Sequence, residues 1–119
     1  MGRVVLFELN SQHPEQAAVF YSNVFGWKVT AQDWGYHSVA TGADNHVGID
    51  GGIVEGPADY PHGTRVTIEV ECIDTAISRS VEQGAKVLRD KMEFDDFYLS
   101  YLVDPTGISF GLIQYMSKG

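Results

Sequence analysis

Phe20-Tyr21-Ser22-Asn23-Val24-Phe25-Gly26-Trp27-Lys28-Val29 is the stretch whose reading decides the fold. Ala17, Phe20, Tyr21, Val24 and Phe25 recur at helical spacing, which gives one apolar face to dock on a sheet. Gly26 then stands where a helix ends, and a strand starts at Trp27. The same punctuation returns in the second half, where Gly84-Ala85-Lys86-Val87 lines up with Gly26-Trp27-Lys28-Val29. The chain therefore reads as a repeat.

Working outward, Val4–Leu9 alternates as a strand, with Val5, Phe7 and Leu9 on one side and Leu6, Glu8 and Asn10 on the other. Pro14 opens the helix at a position where its missing N–H costs nothing. Trp27–Gln32, Tyr36–Thr41 and Val47–Ile53 read as three strands, separated by turn clusters at Asp33–Gly35 and Gly42–Asn45. Gly56–Gly63, with two Pro and two Gly, is the loop at the midpoint. After it, Thr64–Cys72 alternates with Val66, Ile68 and Val70 opposite Arg65, Thr67, Glu69 and Glu71. Asp74 is placed to cap a helix carrying Ala76, Ile77, Ser80 and Val81, which Gly84 ends. Ala85–Arg89, Tyr98–Val103 and Ile108–Gln114 complete the second set of strands, the last two joined by Asp104-Pro105-Thr106-Gly107. Each half is a βαβββ module, at about 1–55 and 64–116, too small to be comfortable alone. The expected fold is α+β, a single domain over 1–119. Its two modules form one open, cup-shaped mixed sheet with helices on the outer face.

The 119 residues carry eight Lys and Arg against sixteen Asp and Glu, a net charge of −8. That balance disfavours nucleic acid and anionic lipid as partners. Apolar runs such as Val4–Phe7 are too short to span a membrane, and no leader is visible at the start. Cys72 has no partner for an internal disulfide and is expected to be a buried, unreactive thiol in a cytoplasmic protein.

Two motifs add a resemblance. Phe20–Val29 is similar to the FY-x-x-(V/L)-(F/L)-G-(W/M) signature of the vicinal oxygen chelate superfamily, the glyoxalase, bleomycin resistance and dioxygenase-like proteins. Asp104-Pro105-Thr106-Gly107-Ile108-Ser109-Phe110-Gly111-Leu112 resembles that superfamily's closing hairpin. The resemblance covers essentially the whole chain, is nearest to the small glyoxalase-like proteins related to lactoylglutathione lyase, and implies a homodimer. Metal-dependent members hold one divalent ion with four side chains, mostly His and Glu, on the first and last strands of each half. Carried onto this chain, those positions fall on Leu6, Arg65 and Gly111, with the fourth on Asp50, Gly51 or Gly52. Leucine and glycine offer no donor and a guanidinium repels a cation, so no cofactor is expected and the usual divalent-metal site is missing. A relocated site using Glu8, Asp50, Glu69 and a loop histidine is the alternative.

Alternation directs Glu8 and Asn10, and Arg65, Thr67 and Glu69, toward the cup. Glu8 and Glu69 are the candidate catalytic carboxylates, since a carboxylate against apolar walls can serve as a general base. Arg65, Thr67, Asn10, Tyr98 and Trp34 are the candidate substrate-binding residues, with Arg65 clamping an anion or stabilising an enolate. The plainer reading is that Arg65 pairs with one of the glutamates. Tyr36, Tyr60 and Phe97 sit where aromatic rings can rim a pocket, whereas Trp27 belongs to the core. His13 reads as an exposed cap at the helix start and His62 as solvated, and His37 or His46 can reach the cup, although no metal-binding His spacing is present. Two functions remain open. One is a lyase or isomerase using acid–base carboxylates on a small oxygenated metabolite. The other is a metal-free protein that binds or sequesters a small molecule, as antibiotic-resistance members do.

Overall fold

Apolar alternation, two helix stops and a Pro–Gly midpoint produce two βαβββ modules in the computed structural model, which describes residues 2–32, 35–43, 47–57, 59 and 62–116. Trp34, His46 and Tyr60, named above, lie outside the described residues. The first module is β1 (Arg3–Ser11), α1 (Pro14–Phe25), β2 (Lys28–Ala31), β3 (His37–Ala40) and β4 (Asp50–Glu55). The second is β5 (Gly63–Glu69), α2 (Ile73–Glu82), β6 (Lys86–Glu93), β7 (Phe97–Val103) and β8 (Ser109–Tyr115). The chain is α+β, with an open mixed sheet: β1–β4 and β5–β8 are parallel, whereas β2–β3, β3–β4, β6–β7 and β7–β8 are antiparallel. By proximity the chain divides into two compact units. One is Leu6–Arg65, and the other is Met1–Val5 with Val66–Gly119.

In the first unit the strands run β2-β3-β4-β1. Ala18, Val39 and Ile53 form its buried centre, with Phe7, Leu9, Ala17, Tyr21, Trp27 and Val29 packed around them. Trp27 stacks on Tyr21 at 4.9 Å between ring centroids, so its expected core role holds. The docking stripe of α1 is narrower than its apolar spacing suggests. Ala17, Ala18 and Tyr21 face the sheet, while Phe20, Val24 and Phe25 are each more than half exposed. The two phenylalanine rings continue the aromatic layer along the helix flank: Phe20 meets Tyr21 edge-on at 5.1 Å, and Phe25 lies 5.9 Å from Trp27. Gly26 ends the helix in the left-handed conformation at φ 71°, where its N–H donates to Ser22 O at 2.9 Å.

In the second unit the order is β5-β8-β7-β6. Ile73, Ala85, Leu102 and Leu112 are its buried centre, joined by Ile68, Val70, Ala76, Ile77, Val87, Tyr98 and Phe110. Helix α2 starts ahead of the cap expected at Asp74. Cys72 occupies the N-cap and is exposed rather than buried, because β5 ends at Glu69 and its alternation no longer places Cys72. Hydrogen bonds from Thr75 hold the Cys72 thiol below its ordinary pKa. The first helical N–H, of Ile73, is satisfied by Gln114 Oε1 at 2.8 Å. Asp74 turns outward to pair with Lys91 Nζ at 3.0 Å, which raises the lysine pKa. The hairpin motif is explained by one carboxylate: Asp104 Oδ1 accepts from Thr106 Oγ1 and Thr106 N, each at 2.7 Å, and from Ile108 N at 3.0 Å. Those donors lower the Asp104 pKa, with the Thr106 hydroxyl contributing most.

Candidate functional site

Because Phe7 and Leu9 turn toward α1, strand geometry turns Glu8 and Asn10 to the opposite face of β1. The parallel ladder sets Leu6 beside Asp50, Glu8 beside Gly52 and Asn10 beside Val54. Arg65, near the start of β5, reaches this face and its Nη1 donates to Glu8 Oε1 at 3.1 Å. Both groups are buried, Arg65 at 3% exposure and Glu8 at 6%. Burying two charges costs several kcal/mol per ion unless the geometry compensates. Such a pair is therefore not what an ordinary core contains.

Asn10 is 5% exposed, and neither its Oδ1 nor its Nδ2 has a hydrogen-bond partner. An unpaired buried donor or acceptor costs about 1–3 kcal/mol. Tyr36 also belongs to this face. Its ring and hydroxyl occupy the space that a Cβ on Gly52 would fill, directly beside the ladder partner of Glu8. Glycine inside a strand commonly marks such a close approach, so Gly51-Gly52 was the available signal. The partner ring is non-local and not legible from the pair itself. Gly51 points to the other face, where a Cβ would lie 2.8 Å from the Phe7 ring.

The remaining candidates fall elsewhere. In the second unit, Thr67 is 4% exposed on the β5 face opposite α2. It pairs with Gly111, and a Cβ there would meet Thr67 Oγ1 at 3.1 Å and the Tyr101 ring at 3.3 Å. Tyr98 is on the α2 side instead, packed against the apolar centre, with the Lys91 ammonium 4.9 Å from its ring centroid. Glu69, with Arg3, Val70, Glu71 and Tyr115, lines a cleft of about 370 Å³. Burial, and secondarily the Glu69 charge, raises the Tyr115 pKa. His37 shares the face of Val39, its Nδ1 buried without a partner, and so turns from Glu8 toward the α1 core. His13 and His62 are exposed.

The residues at the family's ligand positions do not fit a divalent ion. Leu6 has no donor, and Arg65 brings a positive charge already engaged by Glu8. The side-chain space at Gly52 is taken by Tyr36, and a Cβ at Gly111 would press on Thr67 Oγ1 at 3.1 Å. Asp50 Oδ1 accepts from Thr41 N at 2.9 Å, which ties its exposed carboxylate to the β3–β4 connection. Among the described residues no three His, Cys, Asp or Glu side chains come together as a metal site.

Comparison with known proteins agrees with this architecture. A family model described as a glyoxalase-like domain matches residues 6–113. A glyoxalase/bleomycin resistance protein/dioxygenase superfamily member from Vibrio splendidus 12B01 superimposes with a TM-score of 0.67 at 17% identity, covering 98% of this chain and 100% of that one. A single-residue variant of Streptomyces coelicolor methylmalonyl-CoA epimerase, in complex with 2-nitronate-propionyl-CoA, gives 0.65 at 12% identity, with 97% and 98% covered. A Legionella pneumophila structure described as NAD-dependent benzaldehyde dehydrogenase gives 0.65 at 15%, with 93% and 98% covered. At these identities the likeness is one of fold. No curated protein matches the chain.

Proposed function

This chain belongs to the glyoxalase-like domain family, and we propose that within it the chain is a metal-free member that binds a small oxygenated metabolite on the Glu8–Arg65 face. The observation that carries the reading is the ion pair itself, both partners at least nine-tenths buried and 3.1 Å apart. Arg65 offers a planar fork of donors suited to a carboxylate or enolate oxygen. Glu8 holds that fork in place and completes the charge balance before the ligand arrives. An entering anion shares the donor fork with Glu8, so neither the guanidinium nor the buried carboxylate is left without a partner. In this reading the protein acts as a cytoplasmic homodimer.

A second reading is acid–base turnover of the lyase or isomerase type, with Glu8 as the base. It is favoured by the Tyr36 phenol lying over Gly52, which sets an acid beside the ladder partner of a carboxylate. Glu8→Gln separates the two. Turnover disappears with affinity retained if Glu8 is a base, whereas affinity falls a few-fold if Glu8 only orients Arg65. In both readings the purified protein carries no stoichiometric metal by elemental analysis. One tightly held divalent ion per chain contradicts them.

A further inference from the structure

Asn10 is the polar group on this face that the ion pair leaves unexplained. Its carboxamide is sealed from solvent, and both its donor and its acceptor are unpaired. A leucine of similar size at the same place would remove two desolvation penalties and add apolar burial. Its partner across the β1–β4 ladder is the aliphatic Val54, whose side chain offers no hydrogen bond. Two residues away on the same face stands Glu8, at about 6.6 Å by strand rise. Asn10 thus lies one strand repeat from Glu8 with both of its polar side-chain atoms unpaired.

We propose that Asn10 is the specificity residue of this site, and that its ligand presents a hydrogen-bond donor and acceptor side by side. The proposal rests on the reading of the Glu8–Arg65 face as a binding site. A carboxamide places N–H and C=O on one edge, so a single group satisfies both atoms only if it offers the mirrored edge. Cyclic amides and primary amides do so; an ether or ketone, which has no donor, does not. The same geometry underlies recognition of a base edge by asparagine. Joined to a carboxylate for Arg65, the class is a small carboxylate bearing a lactam or primary amide.

The test is a nuclear magnetic resonance titration of the intact chain with 2-pyrrolidinone and with N-methyl-2-pyrrolidinone, whose donor is blocked. The Asn10 side-chain NH₂ signals, assigned by their loss in Asn10→Leu, shift saturably with the first compound and at least fivefold less with the second. Asn10→Leu melts no lower than the parent and loses the discrimination, read then from backbone amides of β1 and β4. Equal response to the two lactams overturns the proposal, as does an Asn10 signal that stays still while pyruvate moves the Arg65 Nε–H. A melting temperature several degrees lower in Asn10→Leu also overturns it, because the amide is then satisfied by internal water. If neither pyruvate nor the lactam moves Arg65 or Asn10, the binding-site reading fails and this proposal falls with it.

Discussion

Arg65→Leu is expected to destabilise the protein by about 3–5 kcal/mol, because it strands the Glu8 carboxylate in a buried setting without its cation. The urea midpoint should fall with little change in slope, since the native surface is otherwise the same. Glu8→Leu should cost a similar amount by leaving the guanidinium, at 3% exposure, without Oε1. The double variant Glu8→Leu/Arg65→Leu should recover most of the loss, as apolar replacement of a whole buried pair is often neutral. That non-additivity is the signature of direct coupling. A single variant within about 1 kcal/mol of the parent, the range of exposed ion pairs, would mean that water reaches the pair. The recovered double variant is useful in its own right: it keeps the fold while deleting the proposed anion anchor.

The second large effect is expected at the paired glycines of β4. Gly51→Ala drives a methyl group into the Phe7 carbonyl oxygen and ring, and the backbone cannot step aside without disrupting the β1–β4 ladder. Overpacking of this kind typically costs about 1–3 kcal/mol, occasionally more. Gly52→Ala meets only the side chain of Tyr36, so its cost is expected in the same range but is relieved by Tyr36→Ala. Thermal melts of the two glycine variants, each with and without Tyr36→Ala, make the comparison. Rescue at position 52 and none at position 51 supports the filled-vacancy account. An undamaged Gly52→Ala would show that the tyrosine does not rest there. A glutamate introduced at Gly52 therefore has to displace the Tyr36 side chain before its carboxylate can serve as a metal ligand.

Much of this architecture is legible in the residues. Gly26 and Gly84 follow the two helices, alternation through Thr67 orders β5, and the Asp104 turn closes the last hairpin through its own carboxylate. These are local signals, each tied to backbone geometry. What alternation alone misplaced was set by where elements end. β5 stops at Glu69, which frees Cys72 to the surface, and β6 continues to Glu93, beyond the expected Arg89. Tyr98 turns toward α2 because β7 begins at Phe97 and alternates through the buried Ser100 and Leu102 on that side. Phe20, Val24 and Phe25 satisfy a helical period, but two small alanines beside Tyr21 bring α1 onto its sheet.

The site was legible in part. Strand parity grouped Glu8 with Asn10 on one side of β1, and the plainer expectation that Arg65 pairs with a glutamate is the arrangement found. The choice of Glu8 depends on a contact between residues 57 apart in the chain, which no local pattern encodes. The isolation of Asn10 is likewise a property of its packed surroundings and not of its neighbours in sequence. The glycines read as lost metal ligands are better described by what replaces them. Tyr36 covers Gly52, and Thr67 with Tyr101 covers Gly111.

Arg65 is proposed as the anchor for a small oxygenated anion, acting without a metal. Titration of chelator-treated protein with pyruvate, following the Arg65 Nε–H resonance, tests it most directly. A saturable shift of that resonance is expected, unchanged when zinc is added, with no binding left in Glu8→Leu/Arg65→Leu. A resonance that stays fixed throughout, or one that moves only after a divalent ion is added, would contradict it.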